Sequence, residues 1–349
     1  QFTFKGKIPN GGPSTTFQII GSFDGFSEKN RFKGISIDGD IRLNSLNVSK
    51  FQPYLKKVLG NTLFNSWLSI ESSFSGNLGG AFKTEGILKY SSDTSESSFA
   101  IRDASVPNRG GIKFKFSTGK DSINFEELKA ETGPFRFKAS GSLKKIFSQD
   151  PDIFINLQTD FFKVNKSNDY LPIKFFPKAY HAEIQKILKN GSVKFNSFKF
   201  DGTLNELQEI SKPVNGKKIT SEIEMKKVDW QSPLPALEKV TGTFKVNNGN
   251  SSFHIQKADY KSQSFTNLTG AVDNFLIHPV ADLSLENTVD MAQFHLTLKE
   301  IFKKEPIHET LSMYSDLKGS ADLRLAVKGP LEGFNKLTVA GEIFFQSVF

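Results

Sequence analysis

The sequence predicts an all-β, mainly antiparallel protein whose strands carry one apolar face and one polar face. Three observations lead there. Apolar and polar residues alternate strictly in many short stretches, the period of a half-buried strand. A glycine-containing strand ending recurs along the chain. And 35 Phe stand beside only 2 Trp and 6 Tyr in a chain that is just 37% hydrophobic. Phe is the aromatic residue without a polar handle. So much Phe in so polar a chain suits sheets that are greasy on one side and wet on the other, rather than buried on both.

Taken in chain order, Ile112, Phe114 and Phe116 share one face while Lys113 and Lys115 take the other. Phe135, Phe137 and Ala139 alternate with Arg136 and Lys138. Ile153, Ile155 and Leu157 alternate with Phe154 and Asn156. Val193 and Phe195 share a face, and Phe198 with Phe200 follow after a change of phase at Asn196-Ser197. Phe244 with Val246, Phe253 with Ile255, and Leu323 and Leu325 with Val327 continue the pattern. Successive strand side chains point to opposite faces, so each set lines one side of a sheet. The recurring ending places glycines at Gly76, Gly141, Gly202, Gly270 and Gly329, between 59 and 68 positions apart. A strand glycine marks a bulge or a bend, which supplies curvature; ordinary turn chemistry accounts for it equally.

Helical signals are few. Phe51–Leu59 carries Tyr54, Leu55, Val58 and Leu59 at helical spacing, with Gly60 as a stop. Pro177–Leu188 begins with a first-turn proline and shows a stripe of Tyr180, Ile184, Ile187 and Leu188. Met291–Phe302 is a weaker candidate. Such helices cap or plug an apolar face, or else lie on a membrane surface. Ser91–Ser98 reads as a polar loop and Lys212–Lys218 as a turn or short insertion, both too short for an interdomain linker. The domain reading is therefore one elongated repeat unit over 1–349, softly divided into 1–160 and 161–349.

Composition excludes several functions. With no cysteine there is no disulfide, no thiolate metal site and no Cys nucleophile. No run of about eighteen apolar residues provides a membrane-spanning helix. The chain opens on Gln1, which reads as a processed chain or a piece of something larger. The formal charge of +8 fits attraction to anionic lipid headgroups or nucleic acid, although a solvated surface of mixed sign explains it too. Gly119-Lys120 and Gly216-Lys217 lack the upstream glycine of a phosphate-cradling loop. Neither a nucleophile elbow nor a zinc-binding helix motif occurs. His181, His254, His278, His295 and His308 include no pair at helical i, i+4 spacing, and His181-Ala182-Glu183 lacks the cysteines of a deaminase site. The sequence thus reads as a non-enzyme without metal or cofactor. Nucleic acid is not expected either, because the Phe residues lie on the strand face opposite the lysines.

An ordered series of features carries a family resemblance. Tyr170-Leu171-Pro172 and the Pro-led helix precede Asn190-Gly191-Ser192-Val193, and Asp201-Gly202-Thr203-Leu204 ends the hairpin. Val228–Leu237, Val240-Thr241-Gly242-Thr243-Phe244 and Phe253-His254-Ile255 follow, and Ala321–Leu331 has the form of one more repeat. In these features the chain resembles the AsmA-like superfamily of YhdP- and TamB-type envelope proteins, over about Tyr170–Val272 and the closing repeat. The first 160 residues are similar in style only. The resemblance implies an elongated, curved repeat sheet folded into a taco-like apolar groove. It also implies a periplasmic or cell-envelope location, an inner-membrane anchor outside this chain, and phospholipid or another acyl lipid as partner, with envelope proteins as further partners. About 20 strands spaced ~4.8 Å apart would span on the order of 100 Å. The groove candidates are the alternating residues named above, from Ile112 to Val327. The expected function is a bridge-like transfer of phospholipid acyl chains between inner and outer membranes. Two other readings stand beside it: a scaffold for outer-membrane protein assembly, and a closed β-sandwich or solenoid adhesin in which the same Phe residues are core.

Overall fold

The computed structural model describes residues 1–8, 15–25, 35–47, 67–77, 80–91, 109–132, 135–164, 189–210, 212–230, 236–260, 263–274, 277–301, 303, 307–314, 317–331 and 336–348. Among them are eighteen strands and four short helices, so the fold is all-β. The described residues fall into two compact units. One is drawn from the described residues within 1–162 and 197–210, the other from those within 163–164, 189–196 and 212–348.

The first unit holds β1 (Phe2–Ile8), β2 (Thr15–Asp24), β3 (Ser36–Asn47), β4 (Trp67–Asn77), β5 (Phe82–Ser91), β6 (Arg109–Gly119), β7 (Ser122–Thr132), β8 (Phe135–Lys144) and β9 (Asp152–Thr159). Each pairs antiparallel with the next in the chain. The two-residue β10 (Phe162–Lys163) and β11 (Ser192–Thr203) follow. Phe198–Thr203 of β11 extends the first unit by pairing with β9. Helix α1 (Leu204–Gln208) then starts on a reciprocal cap: the Glu206 N–H donates to the Thr203 hydroxyl, and the Thr203 N–H donates to the Glu206 carboxylate. The predicted turn at Lys212–Lys218 contains a single helical turn, α2 (Pro213–Gly216).

The second unit is a meander of β12 (Ile219–Trp230), β13 (Leu237–Asn247), β14 (Asn250–Tyr260), β15 (Gln263–Asp273), β16 (Val280–Asp290), β17 (Gly319–Pro330) and β18 (Thr338–Val348). Between β16 and β17 come α3 (Met291–Ile301) and α4 (Ile307–Ser312). Asp290 starts α3, its carboxylate accepting from the Gln293 N–H at 2.9 Å. The expected helices at Phe51–Leu59 and Pro177–Leu188 lie outside the described residues, as does all but the first residue of Ser91–Ser98.

The registers explain why these sequences make two-faced sheets. In the first unit one row of directly opposed residues runs Phe2, Gly21, Gly39, Phe74, Thr84, Phe116, Phe125, Gly141, Ile155, Phe200. A parallel row runs Gly6, Phe17, Leu43, Ile70, Leu88, Ile112, Ala130, Phe137. In the second unit the equivalent row is Ile223, Phe244, Phe253, Gly270, Leu283, Val327, Val339. Cross-strand pairs are the unit of sheet stabilisation, and here every strand of a unit contributes to the same apolar face.

The opposite faces carry ion pairs, most of them between neighbouring strands; Lys129–Glu127 lies within β7. Lys113 and Lys129 meet Glu127, Lys115 meets Glu85 and Glu126, Lys245 meets Glu222, and Lys328 meets Asp282. These pairs are exposed and individually weak. Their effect is on register: a one-residue slip would turn every lysine onto the Phe face.

Candidate functional site

The apolar face is half-exposed along most of its length. In β3, β5 and β16 the exposure alternates residue by residue, most face residues being partly covered and their neighbours exposed, while Tyr90, Ala281 and Val289 toward the strand ends are buried. At the first strand Phe4 is 60% exposed, and at the last Phe345 is 61% exposed. Buried side chains on the face include Phe200, Phe135 and Ala130 in the first unit and Val228, Val240, Ile255, Ala281, Val289, Ala321 and Leu323 in the second. A closed sandwich buries such residues throughout.

Rings lie against glycines across the strands. The Cβ that alanine would add at Gly270 falls 2.6 Å from the Phe253 ring and 2.6 Å from the Leu283 side chain. At Gly39 the same atom meets the Phe74 ring at 2.9 Å. The missing side chain is what lets a neighbouring ring lie down over the strand, a cross-strand pairing known to protect sheet glycines. Ring stacks continue along the face: Phe114 with Phe116 at 5.9 Å, Phe116 with Phe125 at 6.2 Å, and Phe2 with Phe23 at 4.7 Å. Polar residues that fall on this face bond to each other or to backbone. The Ser72 and Thr84 hydroxyls are 2.8 Å apart, and the Thr118 hydroxyl accepts from the Phe82 N–H. Asn287 accepts from both the backbone and hydroxyl of Thr266 and donates to the Ser264 carbonyl. A polar group satisfied in this way adds little penalty to an otherwise apolar surface.

Most of the sequence-predicted candidates come together on these faces. Ile112, Phe114, Phe116, Phe135, Phe137, Ile153, Ile155, Phe198 and Phe200 share the first unit's face, with Phe135 edge-on to Phe162 at 5.4 Å. Phe244, Val246, Phe253, Ile255, Leu323, Leu325 and Val327 share the second unit's face. Val193 is buried, and with Phe195 it belongs to the part of β11 in the second unit; the division falls between Asn196 and Ser197, where the sequence changes phase. The ladders above carry Phe198 and Phe200, not Val193 and Phe195. Sequence reasoning passed over Ile37, Gly39, Ile41 and Leu43, although they alternate with Asp38, Asp40 and Arg42 in β3. It also passed over Leu268, Leu283 and Leu285 in the second unit.

At one end of the second unit's face sits helix α3. Met291 and Phe294 pack with Val289, Ala321 and Leu323 in a small buried cluster, flanked by Leu285, Leu298, Leu317 and Leu325. The helix therefore caps the face, the role foreseen for short helices of this chain. Two histidines join α3 to α4: His295 Nε2 lies 2.6 Å from the Leu311 carbonyl and His308 Nδ1 lies 3.1 Å from the Lys299 carbonyl.

A line of irregularities crosses β12 to β15. The ladders shift register between Met225 and Val228 and between Glu238 and Thr241, and Lys227, Lys239 and Asn267 have left-handed backbone. Bulges bend strands and re-aim side chains. Here they turn Lys226 and Lys227 together to the outside while Met225 and Val228 stay buried. The Lys227 N–H donates to the Thr241 hydroxyl at 3.2 Å. The Asp229 carboxylate accepts from the Asn190 amide at 2.7 Å and from the Lys239 N–H at 3.1 Å. Asp259 accepts from the Ser264 hydroxyl at 2.7 Å and pairs with the Lys239 ammonium at 3.0 Å, and those two contacts, the hydroxyl first, hold it below the usual carboxylate range. Beside this line opens a cleft of about 560 Å³ lined by Lys163, Gly191, Ser192, Lys226, Lys227 and Thr241.

Among the described residues no three His, Asp or Glu side chains gather where they could hold a metal ion, and no helix is long and apolar enough to cross a membrane. No family model matches the chain, and no curated protein or solved structure matches it either.

Proposed function

We propose that the protein is a non-catalytic lipid-binding and transfer module, carrying phospholipid acyl chains along its apolar β-face between the inner and outer membranes of a cell envelope. The observation that supports this best is the largely half-exposed row, mostly of Phe, Ile, Leu, Val and Gly, that crosses β1–β9 in the first unit and β12–β18 in the second. Contiguous exposed apolar patches beyond a few hundred Å² are rare on soluble proteins and mark a binding surface. Phe and aliphatic side chains need no hydrogen-bond partner, which suits an acyl chain. Contacts of this kind are non-directional and alike from one strand to the next, so a chain can slide without a deep trap.

The test is lipid extraction and native mass spectrometry of the purified protein, together with transfer of labelled phospholipid between vesicles. Phospholipid is expected to co-purify, and transfer is expected above the vesicle-only rate. Phe114→Asp with Phe253→Asp should abolish both while leaving the β signal in circular dichroism unchanged. A lipid-free protein without transfer activity, or variants that unfold as a closed core would, removes the reading.

A further inference from the structure

We propose that the cleft at the β12–β13 bulge is a binding site for a phosphate group. Three ammonium-bearing side chains, Lys163, Lys226 and Lys227, border it together with the Ser192 and Thr241 hydroxyls, and among the described residues no carboxylate lines it. Lysine ammoniums and hydroxyl donors around an open, wettable space are the chemistry that holds a phosphate oxyanion.

The nearby acids are engaged elsewhere. Both Asp229 oxygens are occupied by Asn190 and the Lys239 backbone. Asp259 is taken by Ser264 and the Lys239 ammonium. Glu224 is paired with Lys226 at 3.9 Å. The positive charge at Lys163 and Lys227 is thus left facing the cleft. The shape is fixed by the backbone rather than by the long side chains. Gly191 has φ +87°, and a Cβ there would collide with the Lys227 carbonyl, so the chain before β11 packs directly on the bulge. Lys227 itself is held at φ +52°, a conformation lysine adopts at a cost and asparagine adopts readily. A left-handed lysine on the cleft is a local conflict of the sort that accompanies function. The site needs only an oxyanion and stands independently of whether acyl chains lie on the apolar face.

The experiment titrates the whole protein, by amide NMR and calorimetry at about 0.15 M salt, with three probes. These are inorganic phosphate, monomeric six-carbon phosphatidylglycerol, and the soluble glycerol ether of the same chain length without phosphate. Phosphatidylglycerol is expected to shift the Gly191, Ser192 and Thr241 amides and the ether is expected not to. The triple variant Lys163→Gln, Lys226→Gln, Lys227→Asn should weaken binding by about tenfold or more. A variant with the same charge change at lysines that do not line the cleft, Lys145→Gln, Lys245→Gln and Lys328→Gln, should retain it. Equal affinity for inorganic phosphate assigns the site to free phosphate; tighter phosphatidylglycerol assigns it to a lipid headgroup. The proposal is overturned if neither phosphate compound shifts these amides, if the ether shifts them equally, or if the two triple variants lose affinity alike.

Discussion

At the scale of single residues the informative pairing is glycine against phenylalanine. Glycine is costly in a strand because it is flexible in the unfolded chain and packs nothing. Gly270 is kept where the Phe253 ring and Leu283 fill the space its side chain would take. Gly270→Ala should therefore destabilise. Overpacking costs about 1–3 kcal/mol, more than the ~0.4–1 kcal/mol that alanine returns by restricting the unfolded chain. Gly111, whose added Cβ would meet only the Leu88 carbonyl at 3.8 Å, should behave oppositely, with Gly111→Ala neutral or stabilising by the same ~0.4–1 kcal/mol. Urea denaturation of the two variants checks both signs, and equal effects would mean that ring-over-glycine packing is not what holds Gly270.

At the scale of elements, helix α3 gives one end of the second unit's face a conventional core. Phe294 is buried against the face with Met291, Val289 and Leu323. Phe294→Ala should cost about 3–5 kcal/mol, the range for a buried Phe, and hydrogen exchange should speed up across α3 and α4 first. A loss below about 1 kcal/mol would place the helix off the sheet. The strands themselves were legible because alternation is local: Lys113 between Ile112 and Phe114 already separates the faces. The pairing of Gly270 with Phe253 was not, since register joins residues far apart in sequence. The bulges were hidden for a related reason. Lys226-Lys227 reads as ordinary surface in one strand, and only the neighbouring strand shows that an extra residue has been absorbed. Phe154, exposed on the face opposite Ile153 and Ile155, shows that a Phe by itself does not identify the greasy side. The helix Met291–Ile301 was legible only as the weak pattern over Met291–Phe302, and its Asp290 cap and the face it covers emerged from β16 and β17 lying side by side.

At the scale of the whole molecule, stability against pH follows from how the charged faces are wired. Among the described residues four carboxylates lie below their ordinary range: Glu127 through the Lys129 ammonium, Asp150 through the Asn205 N–H, Asp259 through the Ser264 hydroxyl and Asp322 through the Thr288 hydroxyl. A depressed folded-state value means stability that is present above the unfolded value, near ~4, and lost as pH falls through the folded one. Lys239 and Lys328 are raised by Asp259 and Asp282, and burial pushes the Tyr90 hydroxyl up to about 12 from 10.0. Raised values act in the other direction: their stability is complete below pH 10 for Tyr90 and disappears as pH climbs toward about 12. The melting temperature should thus be flat from about pH 5 to 9 and fall on both sides. Because the carboxylate partners are mostly exposed, the acid limb should be shallow and should flatten further in about 0.5 M salt. The alkaline limb should keep its Tyr90 component at that salt, since desolvation is not screened. Melting curves at about pH 3, 7 and 11 in low and high salt separate the two, and an alkaline limb that vanishes in salt would mean that Tyr90 is not sheltered by the sheet.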